Sequence, residues 1–353
     1  MSEAQGRGRA PRVVVAGAGS IGCFVGGLLA RSGQDVTLLL RPKTEAEITQ
    51  NGLTLTDFAD LDVALSPDRF AMSTDPACLA AADIVLVTVK SGATEEMAAQ
   101  IAAHAPEEAV VVSLQNGVEN AGLLRKMLPG WDVRAGMVPF NVVWVGGGRF
   151  HRGTSGDIIL EKGRGHVGRH LSVPDLHVHE HGDIAAVQWG KLLINLNNAL
   201  NALSGLPLRT QIGDRGWRRL MAAQMEEALA VLGAAEVAYQ NPVAKVPMKA
   251  VPRILRLPTW AFRLVAKTML SIDPTARSSM WEDLQKGRRT EIDELQGKVV
   301  ILARQASVAA PINAGIAGLI GEAEARGEGA PNLSVQDVQE RLRAQNTPAD
   351  SQV

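Results

Sequence analysis

One stripe of a helix-forming segment carries the side chains best suited to chemistry. In Trp189-Gly190-Lys191-Leu192-Leu193-Ile194-Asn195-Leu196-Asn197-Asn198-Ala199-Leu200-Asn201, a 3.6-residue period places Lys191, Asn195 and Asn198 on one face. Leu192, Leu193, Leu196 and Leu200 largely cover the others. Asparagine is a poor helix former, so four of them within seven residues carry a propensity cost. A cationic amine can protonate a developing alkoxide, and amides can orient carbonyl oxygens, so the stripe suits reduction of a carbonyl. A polar contact between packed helices is the structural alternative.

A second constellation opens the chain. Gly17-Ala18-Gly19-Ser20-Ile21-Gly22 follows the apolar run Arg12–Ala16 and precedes a helical pattern through Gly22–Ser32. In such a loop the first glycine makes the tight turn, the second lets the backbone approach a pyrophosphate, and the third lets helix pack on strand. The helix start then offers free N–H groups and a positive dipole end to phosphates. A sheet site for NAD places Asp or Glu at the tip of the next strand. Here Val36–Leu40 ends in Leu40-Arg41-Pro42-Lys43, and the planar fork of Arg41 suits a 2′-phosphate. The expected cofactor is therefore NADP(H).

The elements that position these groups change character along the chain. Apolar strands at 12–16, 36–40, 83–89 and 109–114 alternate with helical stretches such as 94–105, as in a parallel sheet covered on both faces. The expected class is α/β, a Rossmann-type doubly wound sheet. Residues 134–182 read as short glycine-punctuated strands, and long helical patterns follow at 185–202, 215–238, 283–306 and 313–326. The expected organisation is 1–183 for the nucleotide-binding domain, 184–330 for a helical substrate domain and 331–353 for a flexible polar tail.

Taken together, the chain resembles the ketopantoate reductases (2-dehydropantoate 2-reductases). The resemblance rests on the N-terminal glycine loop, Val89-Lys90, Gln115-Asn116-Gly117, Trp189-Gly190-Lys191-Leu192-Leu193-Ile194-Asn195, and Ser278-Ser279-Met280 followed by Arg288-Arg289-Thr290-Glu291-Ile292-Asp293. It runs over residues 12–325 and implies that the helical half is an all-α domain like that of 6-phosphogluconate dehydrogenase, with the site in the cleft between the halves. It implies that Lys191 is the proton donor and that Glu291 lies close to the reacting centre along the cofactor. Residues 17–22, Arg41, Lys90, Asn116 and Glu291 would bind NADP(H); Asn116, Lys191, Asn195, Asn198 and Ser279 would bind substrate. The implied reaction is hydride transfer from NADPH to C2 of 2-dehydropantoate, in pantothenate synthesis in the cytoplasm. The sequence departs from the family at Ala199, where a further asparagine is usual, and at Trp281-Glu282, where Leu-Gln is common. These departures keep open a reductase of the same fold for a different 2-keto acid. An NADP-binding sensor without catalysis is the reading from another class.

Composition bounds the rest. The 353 residues carry 36 basic and 37 acidic side chains for a net charge of −1, with 46% hydrophobic residues. That balance argues against nucleic-acid or anionic-membrane partners and leaves ample material for a core. Cys23 and Cys78 stand alone, giving neither a disulfide framework nor a CxxC metal pair. The apolar run 13–30 contains five glycines, so it reads as strand, turn and helix rather than a targeting segment. His177, His179 and His181 alternate on one strand face; an exposed strand is the expectation and no metal is assigned. Residues 237–272 hold six Lys/Arg and no acids and are expected at a domain junction or dimer contact, with a homodimer open to the long helices of the second half.

Overall fold

The computed structural model describes residues 9–242, 246–266 and 273–346. Among these residues twelve strands form two sheets: β1 Val13–Ala16, β2 Val36–Leu39, β3 Leu53–Asp57, β4 Asp62–Leu65, β5 Ala71–Ser73, β6 Ile84–Val87, β7 Val110–Ser113, β8 Val133–Met137, β9 Val142–Gly146, β10 Arg149–Arg152, β11 Ile158–Glu161 and β12 Val178–His181. The large sheet runs β12-β11-β8-β7-β6-β1-β2-β5, and its strands β8 to β5 are parallel. Strand β11 joins antiparallel to β8 and pairs parallel with β12.

Every residue of β1 and β6 is buried, which is why these strands read as continuous apolar runs. Their alternation still sorts the two faces. Val13 and Val15 join one core cluster, while Val14 and Ala16 join the other. The second sheet, β4-β3-β10-β9, lies beyond the helix Ser20–Arg31 and closes the first cluster with Leu53, Leu55 and Phe150. That helix fits between two sheets because it turns Gly26 toward Leu38 and Gly27 toward Leu53 and Leu55, where a Cβ would come within 2.5 and 2.8 Å of those side chains.

From Ile184 the chain is helical, around a separate core that includes Leu193, Leu200, Ala222, Ile316 and Ile320. Buried Arg218 ties it together: its guanidinium donates to the carbonyls of Leu255, Ile212, Gly213 and Leu257 and lies over Phe262.

Three expectations need correction. The helix at 185–202 is two, Ile184–Asn195 and Asn197–Ser204; they meet at Leu196, whose backbone stays helical and whose carbonyl accepts from the Gln296 amide. The pattern at 283–306 is not one helix. Ser279–Gln285 ends at Gly287, in the left-handed region at φ 59°. The Arg288 N–H there returns to the Asp283 carbonyl, a Schellman closure. A π-helical turn at Asp293–Gly297 then leads into the helix Lys298–Gln305. The expected loose tail also forms a helix, Val335–Asn346, with Val338 and Leu342 buried in the helical core; residues 347–353 lie outside the described residues.

The histidine segment is the edge strand β12, where His179 pairs with Asp157 and His181 Nδ1 accepts the Asp183 N–H. Among the described residues no cluster of three or more His, Cys, Asp or Glu is placed to hold a metal ion. Within 237–272, residues 243–245 and 267–272 lie outside the described residues, and the helix Thr259–Val265 exposes Trp260, Leu264 and Val265. Among the described residues no helix is long and apolar enough to cross a membrane.

Candidate active site

The glycine loop sits where β1 gives way to the helix Ser20–Arg31. Gly17 takes φ 76°, and a Cβ there would collide with Val89. A Cβ on Gly22 would come within 2.5 Å of Thr88 Oγ1 and 2.9 Å of Val15. Gly19, by contrast, is exposed and has nothing but the Gly17 carbonyl within 4 Å of its Cβ position, so a ligand can approach its backbone. The loop is fixed by Ala18 N–H donating to the Leu39 carbonyl at 2.8 Å and by Thr88 Oγ1 donating to the Gly17 carbonyl at 3.0 Å. No side chain caps the helix and its first turn has no acid, so the N–H groups at Ser20 and Ile21 stay available to an anion.

At the tip of β2, Arg41 is the exposed N-cap residue of the helix Pro42–Asn51. Its guanidinium has no carboxylate partner among the described residues. After β6, Lys90 donates to Asp283 at 2.5 Å, and Arg288 reaches the other Asp283 oxygen at 3.0 Å. The Asp283 side chain is 4% exposed. One buried carboxylate of the helix Ser279–Gln285 thus holds Lys90, at the end of β6, and Arg288, just beyond the helix.

The loop after β7 is held from behind. The Gln115 amide donates to the Val89 carbonyl and to Thr94 Oγ1, and Thr94 Oγ1 donates to Asn120 Oδ1. Asn120 in turn donates to the Asn116 carbonyl and to Ser91 Oγ, and Gly117 supplies φ 87°. This network leaves the Asn116 side chain pointing outward, where its amide donates to Glu291 at 3.1 Å.

Lys191, Asn195, Asn116 and Gln188 line one cleft with Gly117, Val138 and Leu192. The Lys191 ammonium donates to the Pro139 carbonyl at 2.8 Å. Burial without a facing carboxylate lowers its pKa from 10.5 to about 8, since desolvation disfavours the charged form. Asn195 is buried, and its amide has no partner among the described residues; it is free to meet a ligand in the cleft. Gln188 instead donates to the Gly136 carbonyl, fixing the helix against β8.

The backbone carbonyl of Asn198 accepts from Ser278 Oγ at 3.0 Å, and the half-buried Asn198 side chain has no hydrogen-bond partner among the described residues. Ser278 is also the N-cap of the next helix, leaving Ser279 exposed beside it. The other two asparagines are structural. Asn197 and Asn201 bond Gln211, and Asn201 also holds the Ser278 N–H. The structure therefore brings Lys191, Asn195 and Asn116 into one cleft, with Glu291 on Asn116. It sets the glycine loop and Lys90 on adjoining strand ends, and leaves Arg41 apart at the β2 tip.

Sequence reasoning missed Asp283, whose signal was an acid between Met280 and Leu284 in a buried stretch. It also missed the Thr94–Asn120 support and the Pro139 carbonyl, the last a backbone group without a sequence signature.

Comparison with known proteins agrees with this fold. A family model described as Ketopantoate reductase PanE/ApbA matches residues 13–165, and its C-terminal counterpart matches 183–324. The 2-dehydropantoate 2-reductase of Halobacterium salinarum is 28% identical over 318 residues, 88% of this chain and 97% of that one. A crystal structure of a PanE/ApbA family ketopantoate reductase from Ralstonia eutropha superposes with TM-score 0.75 at 30% identity, covering 90% of this chain and 99% of that chain. The fold is shared at 19% identity with D-mandelate dehydrogenase, solved with NADH and anilino(oxo)acetate, at TM-score 0.71 over 90% of this chain and 99% of the other.

Proposed function

The chain belongs to the ketopantoate reductase family, and from that premise we propose that it reduces 2-dehydropantoate to pantoate with NADPH, Lys191 giving the proton. The observation that carries this reading is the Lys191 ammonium, desolvated in a cleft beside Asn116 and Asn195, with its pKa lowered to about 8.

The residues present fit a dinucleotide. A Cβ would fill the turn at Gly17 and Gly22, the space over Gly19 is open, and the acid-free helix start faces outward. Arg41, without a carboxylate partner among the described residues, fits a 2′-phosphate. Lys90 would lie along the phosphates, and Asn116 and Glu291 nearer the reacting end. When bound, NADPH supplies the hydride.

The chain's own residues do the remainder. Asn195, Asn198 and Ser279 orient the 2-oxo acid. Lys191 donates its proton to the carbonyl oxygen as C2 is reduced, forming the hydroxyl, and recovers a proton from solvent. A lysine near pKa 8 stays mostly protonated at neutral pH, yet it surrenders the proton more readily than an ordinary lysine. The Asn116–Glu291 bond fixes which way the Asn116 amide faces. We place the reaction in the cytoplasm, in pantothenate synthesis.

Lys191→Ala and Glu291→Gln test this when NADPH binding and turnover are measured side by side. Both variants should bind NADPH and lose most of their turnover. Full turnover in both would overturn the site assignment, while binding without turnover in the wild type would favour an NADP sensor.

One observation favours a second reading, a different 2-keto acid. Ala199 is fully buried in the helical core, so the cleft gains no side chain there. Trp281 packs against the helical core and lies beneath the Arg277 guanidinium, which is 4.5 Å from its ring centroid, where the family commonly has leucine.

A further inference from the structure

Two lysines from opposite halves of the chain converge on one tryptophan. Trp144, on β9, is fixed by its indole N–H, which donates to Glu47 Oε1 at 3.1 Å; the same oxygen accepts the Gly148 N–H. Glu47 belongs to the helix Pro42–Asn51, and Lys43 lies one turn before it, two residues beyond Arg41. Lys43 and Lys286 each set their ammonium 5.6 Å from the centroid of this ring, within cation–π range, so no more than about 11 Å separates them. Lys43 is exposed and has no carboxylate partner among the described residues. Lys286 pairs with Glu282 at 3.3 Å on its own helix turn, a weak surface interaction.

The helix Ser279–Gln285 carries Lys286 to this place. Its Asp283 holds Lys90, beyond the end of β6. Lys286, about 4.5 Å further along the axis, reaches the ring that packs on the helix after β2. In the sheet β1 lies between β6 and β2, and all three are parallel, so their carboxyl ends share one edge. The stretch from Lys90 to Lys286 therefore follows the edge where the glycine loop leaves β1 and where doubly wound sheets take their ligands. It ends against the first turns of the helix that Arg41 caps. Three cations thus gather at the β2 tip, Arg41 and Lys43 from the sheet half and Lys286 from the helical half.

We propose that Lys286 is a cofactor-specificity residue: with Lys43 it joins Arg41 in holding the 2′-phosphate of NADP(H). The helical half then distinguishes NADP(H) from NAD(H) together with the nucleotide-binding half. The proposal rests on the cofactor reading above, in which Arg41 meets that phosphate, and extends the site to a residue of the other domain. A lysine is a point charge on a flexible stem, so the two ammoniums can close on a phosphate that the fork of Arg41 orients.

The test measures binding rather than turnover: dissociation constants of NADPH and NADH, which differ only in the 2′-phosphate, read from nicotinamide fluorescence without substrate. The wild type should bind NADPH more tightly by about 100-fold or more. Lys286→Met and Lys43→Met should each cut that ratio by about tenfold, almost entirely through NADPH. Lys286→Arg should keep most of it, and added salt should shrink the gap between wild type and Lys286→Met. NADH affinity, compared across the variants, reports correct folding. A ratio unchanged in either methionine variant, or one that Lys286→Arg loses as fully as Lys286→Met, overturns the proposal. A ratio that falls in Arg41→Ala but not in Lys286→Met removes this inference alone. A wild-type ratio near one removes the NADP(H) reading with it.

Discussion

Replacing Lys191 with methionine should make the protein more stable at neutral pH while removing its activity. The fold holds this ammonium away from water with a single carbonyl partner, and its pKa falls from 10.5 to about 8. At about 1.4 kcal/mol for each tenfold change in proton affinity, charging the buried amine costs about 3 kcal/mol. Because the folded value lies below the unfolded one, the cost is fully present below about pH 8 and disappears as pH approaches 10.5. Methionine keeps the chain's bulk but leaves the Pro139 carbonyl without its donor, a loss of about 1–2 kcal/mol. The net expectation at pH 7 is a gain of about 1–2 kcal/mol. As pH rises above 10.5 the wild-type amine becomes neutral in both states, and only the lost hydrogen bond remains, so the variant should be the less stable. Denaturant unfolding of both proteins at the two pH values measures the change of sign. A Lys191→Met variant destabilised equally at both would refute the desolvated-amine argument.

Three other outcomes follow from the same geometry. The kcat/KM for reduction should fall above about pH 8, by about tenfold per pH unit as the proton donor is lost, and a flat profile to pH 10 would exclude Lys191 as the acid. Arg41→Ala should raise the KM for NADPH by about 10–100-fold and leave that for NADH nearly unchanged, so steady-state kinetics with both cofactors decides its role. Ending the chain after Leu333 should destabilise the helical half by roughly 3–6 kcal/mol through the lost burial of Val338 and Leu342, read by thermal unfolding; an unaltered midpoint would mean that the terminal helix contributes no packing.

What could be read from the chain followed the range of the interactions that set it. The strand–glycine loop–helix unit at 13–31 is local, so Gly17, Gly19 and Gly22 declare themselves by type and spacing. The stripe Lys191–Asn195–Asn198 was likewise visible as a period, but only the fold could sort its members. Lys191 and Asn195 face the cleft, Asn198 receives Ser278 through its backbone carbonyl, and Asn197 and Asn201 brace Gln211. The second sheet was illegible because β3 and β10 pair across about a hundred residues and alternate partly exposed positions. The break at Leu196 coincides with a bond from one distant amide, Gln296, and the stop at Gly287 with one left-handed glycine, neither of which alters hydrophobic periodicity. Val335–Asn346 looked like tail because its few apolar residues, Val338 and Leu342 among them, count only once the core they enter exists.

The most direct test of the central claim is the absorbance of reduced nicotinamide in the purified protein with 2-dehydropantoate, run in parallel with NADPH and NADH. The account predicts consumption that requires the keto acid and is faster with NADPH. NADPH that binds yet is not consumed by 2-dehydropantoate or any other 2-oxo acid would contradict it.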